Sequence, residues 1–238
     1  MIQINDICLA FGGQDIFKNI SLVLSEDQRV GLVGRNGSGK STLLKAIVEK
    51  GLLDSGSITV INSKKLGYMP QEVVLASDRP IIEEALAAFE DIYKMQQEIK
   101  KLEAALDGAD NKTLDRYCKL QEKLAEHNLD LHRVEAEKML LGLGFKKEQF
   151  NELVSTLSVG WKMRVVLAKL LLQKADFYLF DEPTNHLDLV AKEWFLQFLK
   201  DSSFGFLLVC HEKYFLDQLC DYILELEFGN GKVYTGNY

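Results

Sequence analysis

The segment Gly34-Arg-Asn-Gly-Ser-Gly-Lys-Ser41 has residue types and spacing suited to holding phosphate. Its glycines let the backbone curl so that successive N–H groups converge on anionic oxygens. Lys40 would neutralise the β- and γ-phosphates of a nucleotide, and the Ser41 hydroxyl would ligate Mg²⁺. The helix expected to follow would aim its positive N-terminal end at the same anion. The candidate nucleotide contacts here are Gly34, Asn36, Gly37, Ser38, Gly39, Lys40, Ser41 and Thr42.

Asp176–Asp181, DFYLFD, reads as a mostly apolar strand that delivers a carboxylate to its end. Asp181 would complete the surroundings of Mg²⁺. Glu182, directly after it, is placed to orient or deprotonate an attacking water.

These groups need elements to position them. Residues 2–24 read as two short strands broken at Gly12-Gly13, and Val30–Val33 as an apolar strand entering the phosphate loop. A helix is expected over Ser41–Glu49, and a further strand pair over Gly56–Ile61 and Lys65–Met69. After Pro80 the character changes. Apolar residues at Leu86, Phe89, Ile92, Ile99, Leu102 and Leu106 predict one amphipathic helix from Ile81 to about Leu106. Asp107–Lys112 reads as a turn, Leu114, Tyr117, Leu120 and Leu124 as the face of a second helix, and His127–Phe145 as another. The expected architecture is α/β, a single domain over 1–238. In it, 1–80 and 156–238 form a β-subdomain with an α/β nucleotide-binding core, and 81–155 a helical insert with a hairpin arm.

Several segments, taken in order, carry a family resemblance. Asp181-Glu-Pro-Thr-Asn-His-Leu-Asp188 resembles the extended Walker B and D-loop of ATP-binding cassette (ABC) proteins, in the NHLD form typical of the ABC-F family. Leu157-Ser-Val-Gly-Trp-Lys-Met-Arg164 resembles the ABC signature, Gly67-Tyr-Met-Pro-Gln71 the Q-loop, and Val209–Asp217 the switch-histidine segment. The resemblance covers essentially the whole chain. It implies a P-loop NTPase of the ABC ATPase type, with an N-terminal antiparallel β subdomain and an inserted helical subdomain. It also implies binding and hydrolysis of ATP with Mg²⁺.

The resemblance further implies particular roles. Phe11 stacks on adenine. Gln71 reaches Mg²⁺ and water, and His211 contacts the γ-phosphate. Asp188 lies where two cassettes meet, and Ser158 and Gly160 cap ATP bound to the opposite cassette. The sequence departs from the family at Val159, where Gly is usual. A β-branched side chain there restricts φ and ψ and adds bulk beside a loop that must approach phosphate, which leaves open whether this signature fully activates the partner's ATP. The end of the chain, Tyr222–Glu227 followed by FGNGKVYTGNY, resembles the strand pair closing the first ABC-F cassette, ahead of a basic linker and a second cassette. The chain is therefore expected to be an N-terminal cassette or an unusually short protein. The stretch from Leu120 to Phe145 is closest to the Uup-like branch.

Composition bounds the rest. The 238 residues carry 28 Lys+Arg against 35 Asp+Glu, a net charge of −7, which argues against a surface built mainly to cradle nucleic acid. Four cysteines without CxxC pairing suit free thiols in a reducing cytoplasm, and no apolar run is long enough to span a bilayer. The resemblance implies a second cassette as partner, with the ribosome and its rRNA or tRNA as the target of the full-length protein, and no membrane. Three alternatives stay open here: the nucleotide-binding subunit of a transporter, a non-hydrolysing module in which ATP switches an interaction, and an ATPase linked to DNA repair.

Overall fold

A computed structural model describes residues 2–49, 51–61, 64–104, 110–126 and 129–236. The chain divides into two compact units, one of Met1–Val74 with Lys174–Tyr238, the other of Leu75–Gln173.

The first unit holds two sheets. Strands β1 (Ile2–Phe11) and β2 (Gln14–Leu24) pair antiparallel across the Gly12-Gly13 turn, and β4 (Ser55–Val60) joins the other edge of β1. The second sheet has the order β5 (Leu66–Met69), β6 (Phe177–Asp181), β7 (Gly205–Val209), β3 (Arg29–Gly34), β8 (Tyr222–Glu227), β9 (Asn230–Thr235). All its pairs are parallel except the final hairpin. The apolar sequences FYLFD and GFLLV are buried along their whole lengths, as parallel strands covered on both faces must be. On one face Phe177, Leu179, Leu207 and Val209 share a core with Leu43, Leu44 and Ile47 of helix α1 (Lys40–Val48) and with the inward residues of β1 and β2. On the other, Phe180 packs edge-on against Phe195 of α7 (Leu189–Asp201) and against Phe206. Helix α8 (Lys213–Leu219) follows the switch-histidine segment.

The expected pairing of Gly56–Ile61 with Lys65–Met69 does not occur. β4 is mostly exposed and extends the antiparallel sheet, whereas β5 lies parallel to the fully buried β6. The two strands thus lie in different sheets.

The second unit is helical. The single helix expected over Ile81–Leu106 is two: α2 (Ile81–Leu86) and α3 (Glu90–Glu103). Tight bonds from Ala88 N–H to the Ala85 carbonyl and from Phe89 N–H to that of Leu86 close the first helix. The Phe89 ring then turns to lie 4.1 Å from that of His132. Helix α4 (Asn111–Glu126) pairs with α3, and its first turn is capped by Asp110, which accepts from the Thr113 N–H. Residues 107–109 of the expected 107–112 turn lie outside the described residues, as does His127, whereas 111 and 112 already belong to α4, and α5 runs Leu129–Gly142. Helix α6 (Val159–Leu172) packs against α2 and α5. The helical unit therefore extends to Leu75 and Gln173, beyond the expected 81–155, because the signature segment and its helix bury their apolar face among the inserted helices. No helix among the described residues is long and apolar enough to cross a membrane.

Candidate functional site

β3 lies between β7 and β8 and ends at Gly34, from which the loop runs into α1. Two of its glycines are steric necessities. A Cβ at Gly34 would sit 2.4 Å from the Leu226 carbonyl oxygen and 2.6 Å from Ser38 Oγ. At Gly39, with φ at 95°, it would meet Ile16 Cγ2 at 2.7 Å. Lys40 is nearly buried, and its ammonium donates to the carbonyls of Gly34 (2.8 Å) and Arg35 (3.1 Å), which holds the charge under the loop. The N-terminal end of α1 opens on the same space.

Asp181 closes β6 with its side chain fully buried, and neither carboxylate oxygen has a hydrogen bond of ordinary geometry. Burial pushes its carboxyl above the usual range, and Glu182 adds to this. The Ser41 hydroxyl, Lys45 and Lys40 pull the other way. On the neighbouring strand β5, burial pushes the Tyr68 phenol up to about 12, with Asp181 and Glu49 contributing.

Glu182 adopts a left-handed conformation (φ 52°, ψ 51°), which a non-glycine residue holds only where its surroundings fix it. They do so here. Its N–H donates to the Val209 carbonyl at the end of β7. Asn185 Nδ2 donates to Oε2 (2.5 Å), and His211 Nε2 lies 2.9 Å from Oε1. Two adjacent parallel strands thus bring residues 182 and 211 together from opposite sides of a long crossover.

Lys40, Ser41, Thr42, Gln71, Glu182 and His211, with Ile16, Asn36, Gly37 and Gly39, line one cleft of about 420 Å³. It lies at the carboxyl ends of β3, β6 and β7, where open α/β sheets hold their ligands. Gly34 lines the adjoining space with Lys40 and His211, and Ser38 lines another with Arg35 and Asn36. Phe11 ends β1 with its ring more than half exposed and is not among the residues lining these spaces.

Residues 17–185 match the family model described as ABC transporter. The chain belongs to this family. It aligns over its full length with "ABC transporter F family member 5" of Arabidopsis thaliana, at 34% identity over 246 residues and 35% of that protein. It aligns equally fully with "Probable ATP-binding protein YheS" of Escherichia coli strain K12, at 36% identity over 240 residues and 36% of that protein. The chain thus spans little more than a third of either relative. An ATP-binding cassette solved as a dimer in a post-hydrolysis state with ADP and Pi shares the fold. Its TM-score is 0.69 at 20% identity, over 99% of this chain and 98% of that one. The fold is that of the ABC ATPase cassettes.

Within the cassette, the signature segment lies in the helical unit. Ser158 is the extended residue before α6, and its carbonyl accepts from the Lys162 N–H. Val159 opens the helix with φ outside the positive region, so its backbone needs no glycine, and its side chain is exposed. The helical backbone here is one that a β-branched residue can adopt, and the side chain adds bulk at the exposed start of the helix. Behind it the Trp161 ring meets Phe145 edge-on at 4.8 Å, and Arg164 stacks over it at 4.3 Å while donating to the Leu143 carbonyl. Asp188 caps α7, accepting from the Ala191 N–H at 3.0 Å.

Sequence reasoning assigned no role to Asn185 or Ile16. Asn185 falls inside the NHLD motif, so the signal was present. Ile16 carried none beyond an ordinary strand position.

Proposed function

We propose that this cassette binds ATP with Mg²⁺ in the cleft at the ends of β3, β6 and β7 and hydrolyses it. The observation that carries this reading is the convergence of Lys40, Ser41, Gln71, Glu182 and His211 on that one cleft. The residues fit the metal. Asp181 offers two buried oxygens without hydrogen-bond partners, with Ser41 close enough to influence its ionisation. Among the described residues no cluster of three or more His, Cys, Asp and Glu could hold a metal alone. That suits a hard cation shared with phosphate oxygens and water. Ser41, Asp181 and Gln71 would hold Mg²⁺, which neutralises charge on the β- and γ-phosphates when bound.

Loop N–H groups and the α1 terminus bind the phosphates, and Lys40 exchanges its carbonyl partners for phosphate oxygens. Glu182, fixed by Asn185 and His211, orients a water in line with the γ-phosphate and takes its proton as the bond to the leaving oxygen breaks. His211 turns from Glu182 toward the γ-phosphate. Phe11 stacks on the base.

Ser158 and Gly160 would serve ATP held by a second cassette, in the same longer chain or a second copy, with Asp188 at the junction. The NHLD and signature forms and the F-family relatives support a longer protein that uses cassette closure on the ribosome, at rRNA or tRNA. The four free cysteines suit the cytoplasm.

Sedimentation of Glu182→Gln with and without ATP–Mg²⁺, beside turnover at several protein concentrations, tests this. ATP-dependent association and turnover that rises with concentration support it. Robust turnover independent of concentration removes the second cassette from the mechanism.

A further inference from the structure

Glu84 is a carboxylate that nucleotide chemistry does not use, yet its side chain is only 5% exposed. Both oxygens are engaged. Lys169 of α6 donates to Oε1 at 2.6 Å, and the Ser77 hydroxyl donates to Oε2 at 2.8 Å, with the Arg79 guanidinium 3.9 Å away.

The position of these partners along the chain gives the cluster its meaning. The chain passes between the two units only after Val74 and after Gln173. Ser77 and Arg79 lie just beyond the first passage, six and eight residues after Gln71. Lys169 lies four residues before the second, on the helix that begins at the signature. The entering segment is also stitched to the segment leading into the signature. Val154 N–H donates to the Arg79 carbonyl, Ile81 N–H to that of Glu152, and Ile82 N–H to that of Phe150.

We propose that Glu84 is a positioning residue for ATP turnover, a buried clamp that ties the Q-loop's exit segment to the signature helix so that the two respond together to nucleotide. This rests on the ATPase reading above. A buried ion pair is a poor source of net stability, since apolar residues of similar volume often replace one without loss. What it supplies is a fixed register between the segments it joins, here three in sequence: 77–79, α2 and α6.

The test compares the intact protein with Glu84→Gln, Lys169→Arg and the double variant Glu84→Met/Lys169→Met. It reads kcat, KM, ATP affinity and amide hydrogen exchange over 34–42 and 157–164, with and without ATP–Mg²⁺. Glu84→Gln and the Met pair are expected to keep ATP affinity and KM within about twofold while kcat falls about tenfold. Nucleotide-dependent protection should persist at 34–42 and vanish at 157–164. Lys169→Arg, which keeps the pair, should behave as wild type. The Met pair keeps the test decisive if Glu84→Gln folds poorly. Wild-type kcat and wild-type protection at 157–164 in the Met pair would overturn the proposal. A wild-type chain whose 34–42 amides ignore ATP would overturn the nucleotide reading, and the clamp with it.

Discussion

His211 Nε2 stands 2.9 Å from Glu182 Oε1, the two residues lying just beyond the ends of the adjacent strands β6 and β7. The contact joins the group assigned to the water with the group assigned to the γ-phosphate. Glu182 cannot relax freely, because Asn185 holds its other oxygen and Val209 its N–H.

Removing His211 takes away one of the supports of Glu182 and, in the proposed reaction, a phosphate contact as well. His211→Ala is expected to lower kcat about 10²-fold with ATP affinity changed less than about fivefold. Steady-state phosphate release and equilibrium ATP binding read the two effects separately.

Gly39→Ala forces a Cβ onto Ile16 and the Phe17 ring in a left-handed conformation. It should destabilise the fold by about 1–3 kcal/mol and weaken ATP binding more than tenfold. Gly37→Ala, where φ is also positive but a Cβ meets nothing within 4 Å, should cost less. Urea unfolding and ATP titration of the two variants make the comparison.

Cys220 is buried, and burial pushes its thiol from 9.0 up to about 12. The folded chain thus holds a proton that the unfolded chain releases, so its stabilising contribution is complete below pH 9.0 and is lost as pH rises through about 12. By pH 10 the loss should be about 1 kcal/mol. Cys220→Ala should flatten the decline of unfolding free energy between pH 9 and 11.

Val159 opens α6 in an ordinary helical conformation, so Val159→Gly should destabilise the chain by less than about 1 kcal/mol. In the proposed pairing the exposed Val159 side chain adds bulk beside the partner's phosphate, so Val159→Gly should speed hydrolysis of the ATP held by a second cassette. Turnover of the paired cassettes, compared with thermal unfolding of the single chain, separates the two effects.

The residues proposed to meet phosphate and Mg²⁺ are readable because such contacts constrain local sequence. Gly34–Ser41 must curl, Asp181 must end a buried strand, and each leaves its own pattern. Features set by distant packing left none. The left-handed turn at Glu182 depends on Val209 and Asn185. The break between α2 and α3 depends on where Phe89 finds His132. β4 and β5 look alike as short strands and separate only because one meets β1 and the other β6. The Glu84 cluster depends on Lys169, 85 residues further along the chain.

In the proposed reaction Glu182 works on water in a cleft that holds ATP through other groups. Phosphate release by wild type and Glu182→Gln at saturating ATP and Mg²⁺, with ATP affinity measured on the same samples, tests it most directly. Release at least about 10²-fold slower in the variant is expected, with affinity unchanged or tighter. Equal release by the two proteins, or loss of ATP binding in the variant, would contradict it.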